Sequence, residues 1–204
     1  MKKQDLQSAI ETVIERTFTS ITNLYNKQGA ITRLIFPKYT HGSNKGKLRV
    51  SEQELRQLFI EELNRYADET GTIWQYSVET PTNEKYKFPE KGTPKVDKNG
   101  VSGRFDLTIW VDGKMAVIIE FKAGNAAPHE YDKDLCKLDN PMEGEKDTTM
   151  RYFINVLEDS YQTTIENICS KIRTGKKGKE SVHLWILSMG VHTQKNRFKK
   201  EFIY

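Results

Sequence analysis

The order of periodic segments predicts an α/β sandwich, a mixed β-sheet flanked by helices, and three observations carry that expectation. Two long stretches on the N-terminal side repeat apolar residues at helical spacing. Four shorter stretches are rich in β-branched and aromatic residues and are bounded by turn signals. A further helical pattern separates only the last two of these strands, so the chain does not alternate strand and helix as an all-parallel sheet requires. At 204 residues the chain can bury one ordinary core without a second. The expected division is an N-terminal helical extension, residues 1–40, packed on a core spanning 41–204.

Residues 4–27 place Leu6, Ile10, Val13, Ile14, Phe18, Ile21, Leu24 and Tyr25 on one helical face, with Gly29 as a stop signal. After "AITRLIF" and Pro37 comes a polar loop containing "GSNKGK". It lacks the glycine spacing, the following Ser or Thr and the preceding strand of a phosphate loop, so no nucleotide site is expected there. Ser51 followed three residues later by Glu54 forms a capping-box pattern at the start of "EQELRQLFIEELNRYADE", the second helix. "TIWQYSVET" reads as a strand that stops at Pro81, followed by a long connection rich in Pro, Gly and Lys. "RFDLTIW", "MAVIIEFKA" and "SVHLWILSM" read as three more strands. Between the last two lie an acidic stretch, 129–149, and a helical pattern through Met150, Phe153, Leu157, Tyr161, Ile165, Ile168 and Ile172.

No run approaches the roughly 18 apolar residues of a membrane span. The opening "MKKQDLQSAIETVIERTF" carries acids where a secretory leader needs an apolar block. A cytoplasmic protein with no membrane partner is the expectation. Cys136 and Cys169 form no disulfide framework and no CxxC zinc pattern, so both read as reduced thiols. The net charge of +4 is laid down unevenly, because residues 171–200 hold nine bases against the single acid Glu180. Such clustering fits a polyphosphate partner, and it equally fits a solvated face kept soluble by lysine.

The chemistry concentrates in "AVIIEFKAG", residues 116–124. Alternate residues of a strand share a face, so Glu120 and Lys122 project together while Val117, Ile119 and Phe121 point into a core. "WVDGKM" folds the preceding strand back antiparallel, and Asp106 interrupts that strand as Glu120 interrupts its neighbour. Loop length decides whether the two acids meet. A two-residue Asp112-Gly113 loop pairs residues whose numbers sum to 225, and sets Asp106 against Ile119 with Glu120 on the other side of the sheet. A three-residue loop gives a sum of 224 and makes Asp106 a diagonal neighbour of Glu120. The odd loop, or an equivalent bulge, is the expectation.

Two carboxylates meeting on a sheet repel each other and favour a divalent cation. Oxygen donors from few side chains suit Mg2+, with Mn2+ as a substitute, and leave room for water and phosphate. Lys122 on the same face can position or help deprotonate an attacking water and offset charge on a phosphorane-like transition state. Glu-x-Lys alone arises by chance where 29% of residues are charged, so its weight comes from the strand, the hairpin carrying Asp106 and the small Ala123-Gly124 exit.

"RFDLTIWVDGKMAVIIEFKAG" resembles the core of the PD-(D/E)xK, or restriction-endonuclease-like, nuclease superfamily, with Asp106, Glu120 and Lys122 on the three motif positions and Phe105 where the motif has proline. The resemblance implies a mixed sheet flanked by helices and an Mg2+-dependent nuclease, with Asp106 and Glu120 as metal ligands and Lys122 at the attacking water. That family often adds a glutamate from the first helix of the fold, a position that favours Glu54, with Glu62 and Glu79 as further candidates. In many relatives the segment after the Glu-x-Lys strand is a helix, which "HEYDKDLCKLDNP" resembles; Lys133 and Lys137 there, like Arg104, are candidates for phosphate contact or ordinary surface charges. His129, His183 and His192 lack ligand spacing and read as structural. Tyr76, Tyr86 and Phe88 read as core or loop anchors before they read as base-stacking groups. DNA is the expected partner ahead of RNA, cut internally rather than from an end, by a chain that could act as a homodimer or within a larger complex. The alternative is a catalytically silent module of the same fold that binds nucleic acid or a protein partner in a defence or repair complex.

Overall fold

The computed structural model describes residues 2–25, 32–42, 45–46, 49, 51–89, 92–124, 126, 128–145, 148–157, 162–175, 180–189 and 197–203. Two helices come first, α1 (Lys3–Tyr25) and α2 (Glu52–Thr70), followed by β1 (Gln75–Lys87), β2 (Lys95–Val96), β3 (Val101–Val111) and β4 (Lys114–Ala123). Then follow α3 (Pro128–Leu138), β5 (Met150–Leu157), α4 (Gln162–Gly175), β6 (Val182–Ser188) and β7 (Arg197–Ile203). The strands form one mixed sheet in the order β2-β1-β3-β4-β5-β6-β7. Pairing is antiparallel from β2 to β4, parallel across β4-β5-β6, and antiparallel again at β7. β4 is therefore central and marks the change from antiparallel to parallel.

The alternation read from β4 sorts the two layers. Val117, Ile119 and Phe121 join a core with α1 and α2, while Ile118 joins a second core with α3 and α4. α1 buries Leu6, Ile10, Val13, Ile14, Phe18 and Ile21 in the first of these cores, and the Phe18 ring meets Trp185 of β6 edge-on at 6.4 Å. The expected α/β class with a mixed, helix-flanked sheet is what the structure has. Among the described residues no helix is long and apolar enough to cross a membrane.

Several elements differ from expectation. Residues 150–157 are a strand, not the start of a helix: all eight are buried, because β5 lies between parallel neighbours with both faces covered. β1 does not stop at Pro81 but runs on to Lys87 through a register shift between Pro81 and Lys85. Pro81 is tolerated because β2 pairs with β1 only at Tyr86 and Lys87, so the missing N–H falls on an open edge. β7 forms where no strand was expected. Ser51 is extended at the N-cap of α2, but its side chain makes no cap hydrogen bond; Glu54 instead pairs with Arg49 at 3.1 Å, so the capping box is not made.

His183 on β6 stacks on Tyr152, with ring centroids 4.6 Å apart, and burial pushes its imidazole down to about 4. The unfolded chain therefore binds more protons than the folded one between about pH 4 and the ordinary value near 6.5. Stability rises with pH through that window. His183→Gln is expected to flatten this part of the profile, read from urea midpoints between pH 4 and 7; an unchanged slope would show that His183 does not set it.

Candidate active site

The site begins at the β3-β4 hairpin. Asp112 and Gly113 both have positive φ, 52° and 74°, the type I′ turn that an Asp-Gly pair favours. The loop thus has two residues, and Val111 pairs with Lys114 and Trp110 with Met115. Left uncorrected, that register would put Asp106 and Glu120 on opposite sides. It shifts at once: Ile109 pairs with Val117 and Leu107 with Ile119, leaving Ala116 as an extra residue on β4. Carried one residue past its last pair, Leu107 with Ile119, the shifted register sets Asp106 opposite Glu120. The bulge replaces the three-residue loop and makes the pair direct rather than diagonal.

The β3-β4 ladder ends at Leu107 and Ile119, and beyond it the Phe121 N–H donates to Asp106 Oδ2 at 2.7 Å. The Asp106 side chain thus takes over where the backbone ladder stops. On the other flank of β3, Glu79 sits opposite Asp106 with φ of 51°, an uncommon conformation for a residue with a long side chain. Both neighbours of β3 are therefore irregular at the aspartate.

Glu120 is 1% exposed and Lys122 9%. The Lys122 ammonium lies 2.7 Å from Asp134 Oδ2 on α3 and 3.0 Å from Glu52 Oε1 in the first turn of α2. A second ammonium, Lys137 on α3, lies 2.5 Å from Glu120 Oε1 and 3.1 Å from Asp134 Oδ1, and donates to the Arg104 carbonyl at 2.7 Å. Four carboxylates and two ammonium groups thus meet at the C-terminal end of β4, where α2 and α3 approach from opposite layers. Behind Lys122, the fully buried Asn155 of β5 donates to the Tyr131 hydroxyl at 2.9 Å.

Burial pushes the Glu120 carboxyl well above its ordinary value; Lys137 opposes this, and Asp134 and Asp106 add to it. Asp106 is also raised by burial, against the Phe121 N–H that favours its charged form. Glu52 is raised by burial, with Lys122 opposing. For Lys122, burial alone would lower the pKa, but Asp134 and Glu52 outweigh it and hold the ammonium charged well above neutral pH. A charged ammonium suits the positioning and charge-offsetting roles expected of Lys122 better than that of a base for water.

The side chains of the expected accessory acids are engaged by other partners. Glu54 is engaged by Arg49, Glu62 accepts from Ser20 and Arg65 in the α1-α2 layer, and Glu79 pairs with Arg56 at 2.6 Å. Glu52 is the helical acid that reaches the site. Asp134 was not expected in it, and Lys137, a candidate for phosphate contact or surface charge, is instead a buried group facing carboxylates. A signal for Asp134 was present, since Tyr131, Asp134, Leu135 and Leu138 follow the i, i+3, i+4, i+7 spacing of a core-facing stripe. Arg104 contributes its carbonyl, while its side chain is exposed.

Among the described residues, the basic C-terminal run does not reach this site. Arg173 pairs with Glu201 and Lys200 with Glu11, and β7 lies three strands from β4, roughly 14 Å at ordinary strand spacing. Lys176, Lys177, Lys179 and Lys195 lie outside the described residues, as does His192. His129 is exposed on α3. Tyr86 is fully buried with its hydroxyl on Glu143 at 2.7 Å, an anchor rather than a stacking platform.

No family model, curated protein or solved structure matches the chain. The reading of the site therefore rests on its own geometry. Among the described residues no three acidic, imidazole or thiol groups converge as a ready cation cage, because the two ammonium groups stand between the carboxylates. Mg2+ does not need such a cage, since one or two carboxylates with waters and substrate phosphate suffice. The oxygen donors of Asp106 and Glu120, opposed on one face at the strand fork, fit that requirement.

Proposed function

We infer that the chain is an Mg2+-dependent nuclease of restriction-endonuclease-like fold, hydrolysing phosphodiester bonds within DNA. The observation that carries this reading is the Ala116 bulge, which turns an Asp-Gly hairpin that would separate Asp106 from Glu120 into one that opposes them, with Lys122 alongside. Asp106 and Glu120 would hold the ion. When bound, such an ion polarises a phosphoryl oxygen and lowers the pKa of water. The Lys122 ammonium offsets charge gathering on the phosphoryl oxygens and orients the attacking water. Glu52, whose side chain is 45% exposed at the mouth of the cluster and whose carboxyl burial raises above its ordinary value, is placed to accept the proton that the water gives up.

One observation favours a second reading. Glu120 and Asp134 already face Lys137, and Asp134 and Glu52 already face Lys122, an arrangement that also suits a silent module holding nucleic acid without cutting it. Supercoiled plasmid with Mg2+ or Mn2+ separates the two, with an RNA of matched sequence run in parallel. Nicking or linearisation that Lys122→Ala reduces at least about 100-fold, with unchanged circular dichroism, is the expected result. Salt-sensitive binding without cleavage under any divalent ion would replace the nuclease with the module.

A further inference from the structure

Lys137 has the surroundings of a bound cation rather than of a surface lysine. Its Nζ meets two carboxylates and a backbone carbonyl, from Glu120, Asp134 and Arg104, at 2.5, 3.1 and 2.7 Å. Carboxylate and carbonyl oxygens at one point are the donor set of a hard divalent ion. The lysine is packed in place along its length. Its stem lies against Gly103, where an added Cβ would come within 3.2 Å of Lys137 Cδ, and the ammonium sits 5.9 Å from the centre of the Phe105 ring. The residue is 7% exposed, so the ammonium is shielded from solvent.

We propose that Lys137 is a tethered second cation: its ammonium fills the Glu120-Asp134 oxygen position that a second divalent ion would otherwise take. The site then binds one divalent ion per chain, at Asp106 and Glu120, and the positive charge that two-metal hydrolases draw from a second ion comes from a side chain. The location of that first ion rests on the nuclease reading; the occupation of the second position by Lys137 does not.

Mn2+ binding, counted by titration calorimetry and by the loss of the free-ion electron paramagnetic resonance signal, tests this without measuring activity. The intact chain is expected to bind one Mn2+, and Lys137→Met one more than the intact chain. Adding Asp134→Asn, which leaves Asp106 and Glu120 in place, to that variant should remove the extra ion. Equal numbers for the intact chain and Lys137→Met, or two ions already in the intact chain, would overturn the proposal. An intact chain that binds none while the variant binds one would end the nuclease reading and leave the tethered cation standing. The intact chain also provides a test that does not depend on the variant folding. In protein with 15N-labelled lysine, the Lys137 ammonium resonance, assigned with Lys137→Arg, should persist at saturating Mg2+, and its disappearance would show that the ion displaces it.

Discussion

Asp106→Asn is expected to yield a protein that is more stable than the parent at neutral pH and that, on the nuclease reading, cuts nothing. The ionised carboxylate is held in a half-buried position beside Asp134, and burial is the largest influence raising its pKa. Its structural bond need not be lost, because an amide oxygen can accept the Phe121 N–H as Oδ2 does. A group raised in this way binds more protons in the folded chain than in the unfolded one, between its ordinary value of 3.8 and its folded value. Its contribution to stability is therefore present at low pH and declines as pH rises through that window. The asparagine has no such decline. The gain should appear at pH 7 as a higher urea midpoint and should vanish at about pH 3.5. Cleavage should fall by more than the roughly 10–100-fold that the loss of an outer partner of a metal ligand costs. Urea melts at the two pH values with plasmid nicking in parallel read both effects. A variant less stable than the parent at pH 7 would show that Asp106 is held by favourable contacts rather than kept charged at a cost.

How the site assembles explains which parts of it were legible. The face shared by Glu120 and Lys122 follows from strand alternation, and the Asp112-Gly113 turn from its residue types. The bulge carries no mark of its own, since "MAV" contains neither glycine nor proline. A constraint was nevertheless present: Leu107 and Ile109 must share a layer with Val117 and Ile119, and a tight Asp-Gly hairpin achieves this only if the register slips by one residue. β5 was hidden for the opposite reason. A strand covered on both faces has no period of two, and Met150, Phe153 and Leu157 happened to match a helix. β7 was masked by its charges, because "RFKKEFI" was weighed as part of a basic run and not as an edge strand whose lysines suit solvent. Glu54 is favoured by its place on the first helix of the resembled fold and fits a capping box, but tertiary contacts override both: Arg49 engages it, and Glu52, two residues earlier, faces β4 instead. No local pattern encodes that choice, which depends on how α2 sits against the strand fork.

Replacing Arg151 is expected to be among the most damaging single changes away from the site. Arg151 is 2% exposed on β5, opposite Ile118 of β4. Its guanidinium donates to the carbonyls of Thr149, Asn140 and Glu143 at 3.1, 3.3 and 2.6 Å and lies 3.0 Å from Glu180. These carbonyls belong to the connection from α3 to β5, so one side chain holds both ends of that segment. The segment is fastened in turn to β1 by the buried Glu143 carboxylate, which accepts the Asn83 and Glu84 N–H groups and the Tyr86 hydroxyl. Arg151→Met takes a donor from three carbonyls, of which that of Asn140 keeps the Glu143 N–H, and leaves Glu180 without the guanidinium, a loss on the order of 3–5 kcal/mol. Arg151→Lys should recover little, since an ammonium cannot reproduce the planar fork that reaches both sides of the segment. Because Lys137 lies at the α3 end of the same connection, the damage should extend to the site. Hydrogen exchange at the Asn83 and Glu84 amides should accelerate before global unfolding, and the Lys137 ammonium resonance should broaden. A urea midpoint within about 1 kcal/mol of the parent would mean that the segment is held by packing, with the guanidinium contacts contributing little net stability.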